Sequence, residues 1–498
     1  MSITFTDIFC GAGGSSTGLV NAGMELQLAA NHWERAIETH SANHPGAEHL
    51  CADMDHYDMR RLPDTDVLWA SPICTEISPS GGRKRRSRKG APPPGQEGIQ
   101  ELGYVPQTGF ERTRATAYDI LRATEVHRYK VVMYENVPEF ATDWELYSWW
   151  VQGFKVLGYR HVAVSVNAAH IGGAGNTPAA QWRDRYFGMF VAEGLPLPDL
   201  APRPTAWCPV CQENVAAIQY WKDTPFTRRY GNIGKYRDQY DYRCPNGTRC
   251  RHAIVEPYVA PAASIIDWSD RGVLIGERAE RKMRPLATTT IARIEAGLAM
   301  LGKRRMVVTV NHDGHDGRAF DPSAGPLPTR SGKIGEAVVV PSGGTWNSTP
   351  YLVDGPFRTR MTRECEALAF PPEAAHAFVV EYRNHATASP VTAPIAAVTA
   401  QGNHHGLVIP YRKGLTKTTD EPLLTMSTVD PAGLARPAPS VEECHYRMLQ
   451  PREQLLAQRF PRDYIVHGNR GEQTMQAGNA VPANVAQWLG GKALAVLS

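Results

Sequence analysis

Cys74 lies in the run Ala70-Ser71-Pro72-Ile73-Cys74-Thr75-Glu76-Ile77-Ser78-Pro79-Ser80-Gly81, directly after the β-rich stretch 67–70. Six basic side chains then fill the seven positions from Arg83 to Lys89. A dense positive field stabilises a thiolate, so a cysteine at such a strand end is fit for nucleophilic attack; an inert buried thiol is the plainer alternative. Glu135-Asn136-Val137-Pro138 closes a second β-branched run that starts at Val131. If both runs join one sheet, Glu135 and Cys74 face one crevice, where open α/β sheets keep their ligands. In Gln181-Trp182-Arg183-Asp184-Arg185 an extended backbone sends both arginines to one side, as site cations or as a solvated strand face.

A second group of residues suits a nucleoside. Asp7-Ile8-Phe9-Cys10-Gly11-Ala12-Gly13-Gly14 follows a short strand-like run and opens a helical one. Glycines there let the backbone approach a ligand, and a helix N-terminus favours negative charge, although an ordinary tight turn has the same look. Asn31-His32-Trp33-Glu34 and Ala52-Asp53-Met54 follow the next two strand candidates. Trp33 offers a flat ring for stacking and Asp53 an acceptor for an exocyclic amine; a core tryptophan and a capping aspartate are the plainer readings.

Cys208-Pro-Val-Cys211 and Cys244-Pro-Asn-Gly-Thr-Arg-Cys250 are two close cysteine pairs separated by 32 residues. That spacing is ribbon-like, each knuckle presenting two thiolates to a tetrahedral zinc, with His252 as rival for the fourth place. Between the pairs, aromatic residues interleave with Lys and Arg from Tyr220 to Arg243, a composition suited to phosphate contact and stacking as well as to a solvated hairpin.

The elements that must position these residues read as alternating strand and helix over roughly the first 195 residues, the rhythm of a doubly wound sheet. The basic stretch 81–98 has no core to join and reads as a loop. A Pro-rich connector, PLPDLAPRP, then changes the texture. From 284 onward, Pro-apolar-Thr units recur irregularly, at 285–290, 326–341, 394–410 and 422–437, and read as short strands and turns. The tail is helical in pattern, ending in the amphipathic stretch NVAQWLGGKALAVL. With 498 residues, 53 Lys+Arg against 50 Asp+Glu and 42% hydrophobic residues, the composition is that of a soluble globular protein of several domains. Nine cysteines, an odd number, and an acidic start without a basic and apolar leader favour thiol chemistry or metal ligation in a cytoplasmic protein over a disulfide framework. No apolar run is long enough to span a membrane.

Taken together and in order, DIFCGAGG, SPICTEISPSG, ENV, QWRDR, RMLQPREQLLAQRFP and QAGNAVP resemble the motifs of the DNA cytosine-5 methyltransferase family, over about 1–195 and 445–498. The resemblance implies a Rossmann-like, S-adenosylmethionine-dependent methyltransferase domain over 1–198, completed by 445–498. The zinc ribbon would occupy 199–260 and a mainly β target-recognition region 261–444. It implies that Cys74 adds to C6 of a cytosine flipped out of double-stranded DNA, that Glu135 holds N3 and the exocyclic amine, and that Arg183 and Arg185 act near O2. Asp7, Phe9, Gly11, Gly13, His32, Trp33, Asp53, Asn479 and Val481 would line the cofactor site; Ser78, Ser80, Arg83, Lys84, Arg85 and Arg86 would contact DNA; Cys208, Cys211, Cys244 and Cys250 would hold zinc. Ile73 stands where the family carries Pro, Thr75 where it carries Gln, and His32 where it carries Glu. The rival expectations are a zinc-containing DNA-binding protein on an inactive scaffold and an RNA cytosine-5 methyltransferase; the expected methyltransferase is a monomer.

Overall fold

The computed structural model describes residues 2–72, 107–260, most of 264–286 and nearly all of 441–498; between 287 and 440 it describes short stretches of backbone, chiefly strands. The first 192 residues build one sheet from β1 (Thr4–Ile8), β2 (Glu25–Asn31), β3 (Glu48–Cys51), β4 (Val67–Ala70), β5 (Val131–Asn136), β6 (Tyr159–Asn167) and β8 (Asp184–Ala192), with the two-residue β7 (Gln181–Trp182) just before β8. The order is β3-β2-β1-β4-β5-β8-β6. The helices are α1 (Gly14–Asn21), α2 (Glu34–Asn43), α3 (Gln107–His127), α4 (Pro138–Asp143) and α5 (Tyr147–Val156).

The first five strands are parallel, as the β-α rhythm predicts. Strand order reverses between β1 and β4, so the crevice outside their C-terminal ends is the place for a ligand. At the far edge the pattern breaks, and β8 runs antiparallel between β5 and β6. The connection fits this: the stretch 168–180 between β6 and β7 holds a three-residue 3-10 turn, Ala168–His170, but no crossover helix of the kind that usually returns a chain to a parallel strand.

Alternation along each strand feeds two apolar layers. Phe5, Val67, Trp69, Val131, Met133 and Met189 face one side, against Leu19 of α1 and Val485, Leu489 and Ala493 near the C-terminus. Leu68, Ala70, Val132, Tyr134 and Phe190 face the other, with Ile120 of α3, Phe140 of α4 and Trp150 and Phe154 of α5.

The cysteine-bearing insert follows as two two-stranded ribbons, β9 (Thr205–Cys208) with β10 (Glu213–Ala216), and β11 (Ile218–Trp221) with β12 (Tyr240–Arg243). Two short helices, α6 (Pro225–Tyr230) and α7 (Gly247–Cys250), accompany them. Beyond it, six short strands form a mixed sheet in the order Val273–Leu274, Cys444–Met448, Glu366–Ala369, His405–Pro410, Phe378–Glu381, Ser389–Pro390. The recurring units at 326–341 and 422–437 lie outside the described residues, apart from the strand Val338–Val339.

The chain then returns to the first sheet through α8 (Pro451–Leu456), α9 (Arg470–Asn479) and α10 (Ala483–Leu497). Arg447 and Glu453 make a buried two-bond fork, at 2.9 and 2.7 Å, that joins the second sheet to α8. Helices α10 and α1 pack so closely that a Cβ on Gly18 would collide with Ala486 and the Ala483 carbonyl. Gly18→Val should therefore destabilise the protein by about 1–3 kcal/mol or more, read as a lower urea midpoint; an unchanged midpoint would contradict this packing.

Candidate active site

Glu135, the penultimate residue of β5, and Arg185, the second of β8, meet across the sheet, with Arg185 Nε 2.9 Å from Glu135 Oε1. Both are buried, so each charge is balanced by the other rather than screened by water, and the pair makes a fixed polar unit at the C-terminal end of β5. Next to Glu135, Asn136 Nδ2 donates to the Pro72 carbonyl at 3.0 Å. Its own Oδ1 accepts from the Val137 backbone N–H at 2.8 Å. The chain leading to Cys74 is thereby fastened two residues upstream to the neighbour of Glu135. Cys74 itself, with Ser78, Ser80, Arg83, Lys84, Arg85 and Arg86, lies outside the described residues.

The two arginines of the Gln-x-Arg-x-Arg strand are not equivalent. Arg185 turns to Glu135, whereas Arg183 donates to the carbonyls of Gly478 (3.2 Å) and Ala480 (2.8 Å). Arg183 thus orders the turn from α9 into α10, where Asn479 is exposed and Val481 buried. Asn484 locks the same turn from the other side, donating to Ala168 and Ile171 carbonyls at 2.9 and 2.8 Å. The sequence signalled Arg183 as a site cation; its buried carbonyl partners, remote in sequence, carry no local signature.

The glycine-rich turn at the end of β1 has three constraints. Phe9 takes φ +66°, a left-handed conformation unusual for a bulky residue, held by Cys10 N–H to the Ala30 carbonyl at 3.0 Å. A Cβ on Gly13 would lie 2.5 Å from Tyr464 Oη, and one on Gly14 would strike the Val481 carbonyl. At Gly11 (φ +54°) an added Cβ meets none of the described residues within 4 Å. Trp33 is half-buried and His32 exposed at the end of β2; Asp53, exposed after β3, caps a 3-10 turn through Asp55 N–H at 3.3 Å.

Asp7 is fully buried, and Ser15 and Ser16 hydroxyls both donate to its Oδ2 at 2.6 Å. Among the described residues, Oδ1 has no hydrogen-bond partner. Burial pushes its carboxyl up to about 7, against the two serine hydrogen bonds. Ser16 Oγ is 2.9 Å from His40 Nε2, and His40 Nδ1 is 2.9 Å from His49 Nε2. Because Ser16 gives its proton to Asp7, it accepts from His40 Nε2–H, and His40 Nδ1 in turn accepts from His49. Burial holds His40 far below its ordinary range and lowers His44 to about 4, so the histidine cluster is neutral at pH 7. For Asp7 the folded value lies above the unfolded 3.8, so its contribution to stability is lost as pH rises from about 4 through about 7. Asp7→Asn should consequently gain urea resistance relative to the parent between pH 4.5 and pH 8. A difference in midpoints that stays constant across that range would contradict the assignment.

The insert gathers Cys208, Cys211, Cys244 and Cys250, all buried, with their sulfurs within 4.8 Å of one another. Cys211 and Cys244 Sγ are 3.8 Å apart. That is the edge of a tetrahedron whose metal–sulfur bonds are about 2.3 Å. Cys211 N–H donates to Cys208 Sγ at 3.4 Å, the kind of contact that stabilises a thiolate. His252, the rival fourth ligand, instead directs Nδ1 to the Cys244 carbonyl at 2.9 Å. Four sulfurs and no imidazole therefore form the cluster.

The family model of the C-5 cytosine-specific DNA methylases matches residues 3–204 and 376–494, well over half of the chain, and the chain belongs to that family. Among characterised relatives, the Type II methyltransferase M.HhaI of Haemophilus parahaemolyticus is 30% identical over 142 residues, 28% of this chain and 35% of that protein. The Type II methyltransferase M.AgeI of Thalassovita gelatinovora is 25% identical over 198 residues, 38% of this chain and 39% of that protein. The chain thus spans between a third and two fifths of the length of these relatives. A solved structure, the Entamoeba histolytica methyltransferase EhMeth, is 10% identical with a TM-score of 0.43, covering 100% of this chain and 99% of that one.

Proposed function

We propose that the protein methylates C5 of cytosine in double-stranded DNA at a specific sequence, with Cys74 as nucleophile. The observation that carries this reading is the buried Glu135–Arg185 pair, fastened through Asn136 to the backbone two residues before Cys74. Cytosine C5 is a poor nucleophile. Thiolate addition at C6 raises its electron density; after the methyl is received, loss of the C5 proton and expulsion of the thiolate restore the ring. Glu135 holds the N3 and exocyclic-amine edge, Arg185 keeps that carboxylate oriented and lies toward O2, and Arg183 works indirectly by ordering 478–481. A base inside a duplex is out of reach of these groups, so it must be flipped out, with Ser78, Ser80 and Arg83 to Arg86 on the DNA side.

S-adenosylmethionine supplies an electrophilic methyl group when bound. The residues present fit it: among the described residues nothing crowds Gly11 and Asp7 Oδ1 has no hydrogen-bond partner, and Trp33 and Asp53 stand at successive strand ends with a stacking face and an acceptor. Phe9, Gly13, His32, Asn479 and Val481 complete that rim.

Zinc is the metal we propose for Cys208, Cys211, Cys244 and Cys250, on the sulfur spacing. One zinc per chain is expected by elemental analysis. Cys211→Ser should lose it and lower the melting temperature; full metal content in that variant would refute the site.

The reaction is tested by incubating the protein with tritiated S-adenosylmethionine and mixed-sequence duplex DNA or RNA, then digesting to nucleosides. Label in 5-methyldeoxycytidine is the expected result. Label in 5-methylcytidine alone, or none from folded, DNA-binding protein, would favour the RNA or the inactive-scaffold reading.

A further inference from the structure

We propose that Lys235 and Tyr236, in the cysteine-bearing insert, are positioning residues for the active site, bracing from behind the two elements that present Glu135 and Arg185 to each other. The inference rests on the methyltransferase reading and adds residues to it that lie outside its motifs.

The argument begins with alternation. Along Gln181 to Arg185, one face carries Gln181, Arg183 and Arg185, and the other carries Trp182 and Asp184. The insert lands on that second face. Tyr236 N–H donates to Asp184 Oδ1 at 3.0 Å, and the Tyr236 ring stacks on Trp182 at 5.4 Å between centroids and 22° between planes. Asp184 is the residue immediately before Arg185. On the other partner of the ion pair, Lys235 Nζ donates to Glu139 Oε1 at 2.7 Å. Glu139 lies in the first turn of α4, four residues after Glu135. Two adjacent insert residues therefore grip both sides of one ion pair.

The grip is buried and over-determined. Gly234 N–H donates to Ser165 Oγ at 3.0 Å, and Gln219 Nε2 to the Ser165 carbonyl at 2.8 Å, both on β6 next to β8. His170 is 2% exposed, with neither ring nitrogen hydrogen-bonded among the described residues, boxed edge-on by Trp182, Tyr236 and Tyr242 at 4.4–5.0 Å. Burial holds this imidazole neutral, so the box is an apolar joint rather than a charged one. The opposite end of β12 runs straight into Cys244, so the sulfur cluster fixes the strand at whose other end Lys235 and Tyr236 sit.

Several cations of the insert already have carboxylate partners, and Lys235 takes its partner from α4. Lys222 pairs with Asp241, Arg228 with Asp223, Lys235 with Glu139 and Arg237 with Glu256. Arg243 lies 3.5 Å above the Tyr220 ring. Cations already partnered by carboxylates add little to DNA affinity.

The test uses the full chain and separates kcat from KM. Tyr236→Ala should lower kcat by about tenfold or more while KM for duplex DNA and for S-adenosylmethionine, and the methylated sequence, stay within about twofold, since small misplacements of catalytic groups act on turnover. Tyr236→Phe, which keeps the stacked ring and loses only the hydroxyl bond to Glu256, should restore turnover. Lys235→Met should show the same kcat loss and Lys235→Arg its recovery, which keeps the test alive if Tyr236→Ala does not fold. A raised KM for DNA at unchanged kcat would mean that the insert contacts DNA instead, and unchanged kinetics would mean that it braces nothing; either overturns the proposal. Amide hydrogen exchange provides an activity-free arm. Tyr236→Ala with full zinc content should speed exchange at residues 183–187, and protection equal to the parent's would overturn the brace even if the parent transferred no methyl group, which would count against the function alone.

Discussion

Cys74→Ser is expected to abolish methyl transfer, lowering kcat by about five to six orders of magnitude, the size seen when a covalent nucleophile is removed from an otherwise intact site. A hydroxyl remains neutral at pH 7, so addition at C6 cannot proceed and C5 keeps its weak nucleophilicity. Duplex binding and the melting temperature should stay near those of the parent. The Asn136 bond to the Pro72 carbonyl and the Arg185–Glu135 pair are both made by groups other than the thiol. Substantial residual turnover would show that the chemistry does not run through Cys74.

The second large effect is expected at Glu135. Glu135→Gln keeps the side-chain length and an amide oxygen facing Arg185, but removes the carboxylate proposed to hold the N3 and amine edge of the ring. Loss of one such preorganised group costs about two to three orders of magnitude in kcat. Because Arg185 is 7% exposed, it is also left as a buried cation without its counter-charge, which should lower stability by about 3–5 kcal/mol. Steady-state kinetics and urea denaturation on the same sample read both effects. A variant with reduced stability but parental kcat would make the pair structural rather than catalytic.

The distribution of these residues explains what the sequence made legible. Strand ends are short-range features: Phe9 to Gly14, Trp33, Asp53, Pro72 and Glu135 follow β-rich runs directly, so their common crevice follows from the parallel order of the first five strands. The cysteine pairs are equally local, and their spacing brings four sulfurs within 4.8 Å. The antiparallel edge was less legible because the missing crossover between β6 and β8 is a property of a connection. Arg183 reads as a twin of Arg185 in the sequence, but its partners at 478 and 480 lie some 295 residues away. Lys235 and Tyr236 sit in a stretch whose composition resembles any solvated basic hairpin, and Glu139 reads as an ordinary acidic residue in the first turn of α4; only the placement of Asp184 and Trp182 on the reverse of the arginine strand gives them a role. The chain from Asp7 through Ser16 to His40 and His49 is hidden in the same way, since none of these residues shares a motif with the next.

The most direct measurement is covalent trapping on duplex DNA carrying 5-fluorocytosine at the methylated position, in the presence of S-adenosylmethionine. Fluorine at C5 cannot leave as a proton does, so the adduct cannot release the enzyme once the methyl group has been received. The expected result is a denaturant-resistant protein–DNA complex whose peptide map places the attachment at Cys74 and which Cys74→Ser fails to form. Methyl transfer to ordinary cytosine without any trapped complex, or a complex attached at another residue, would contradict the central claim.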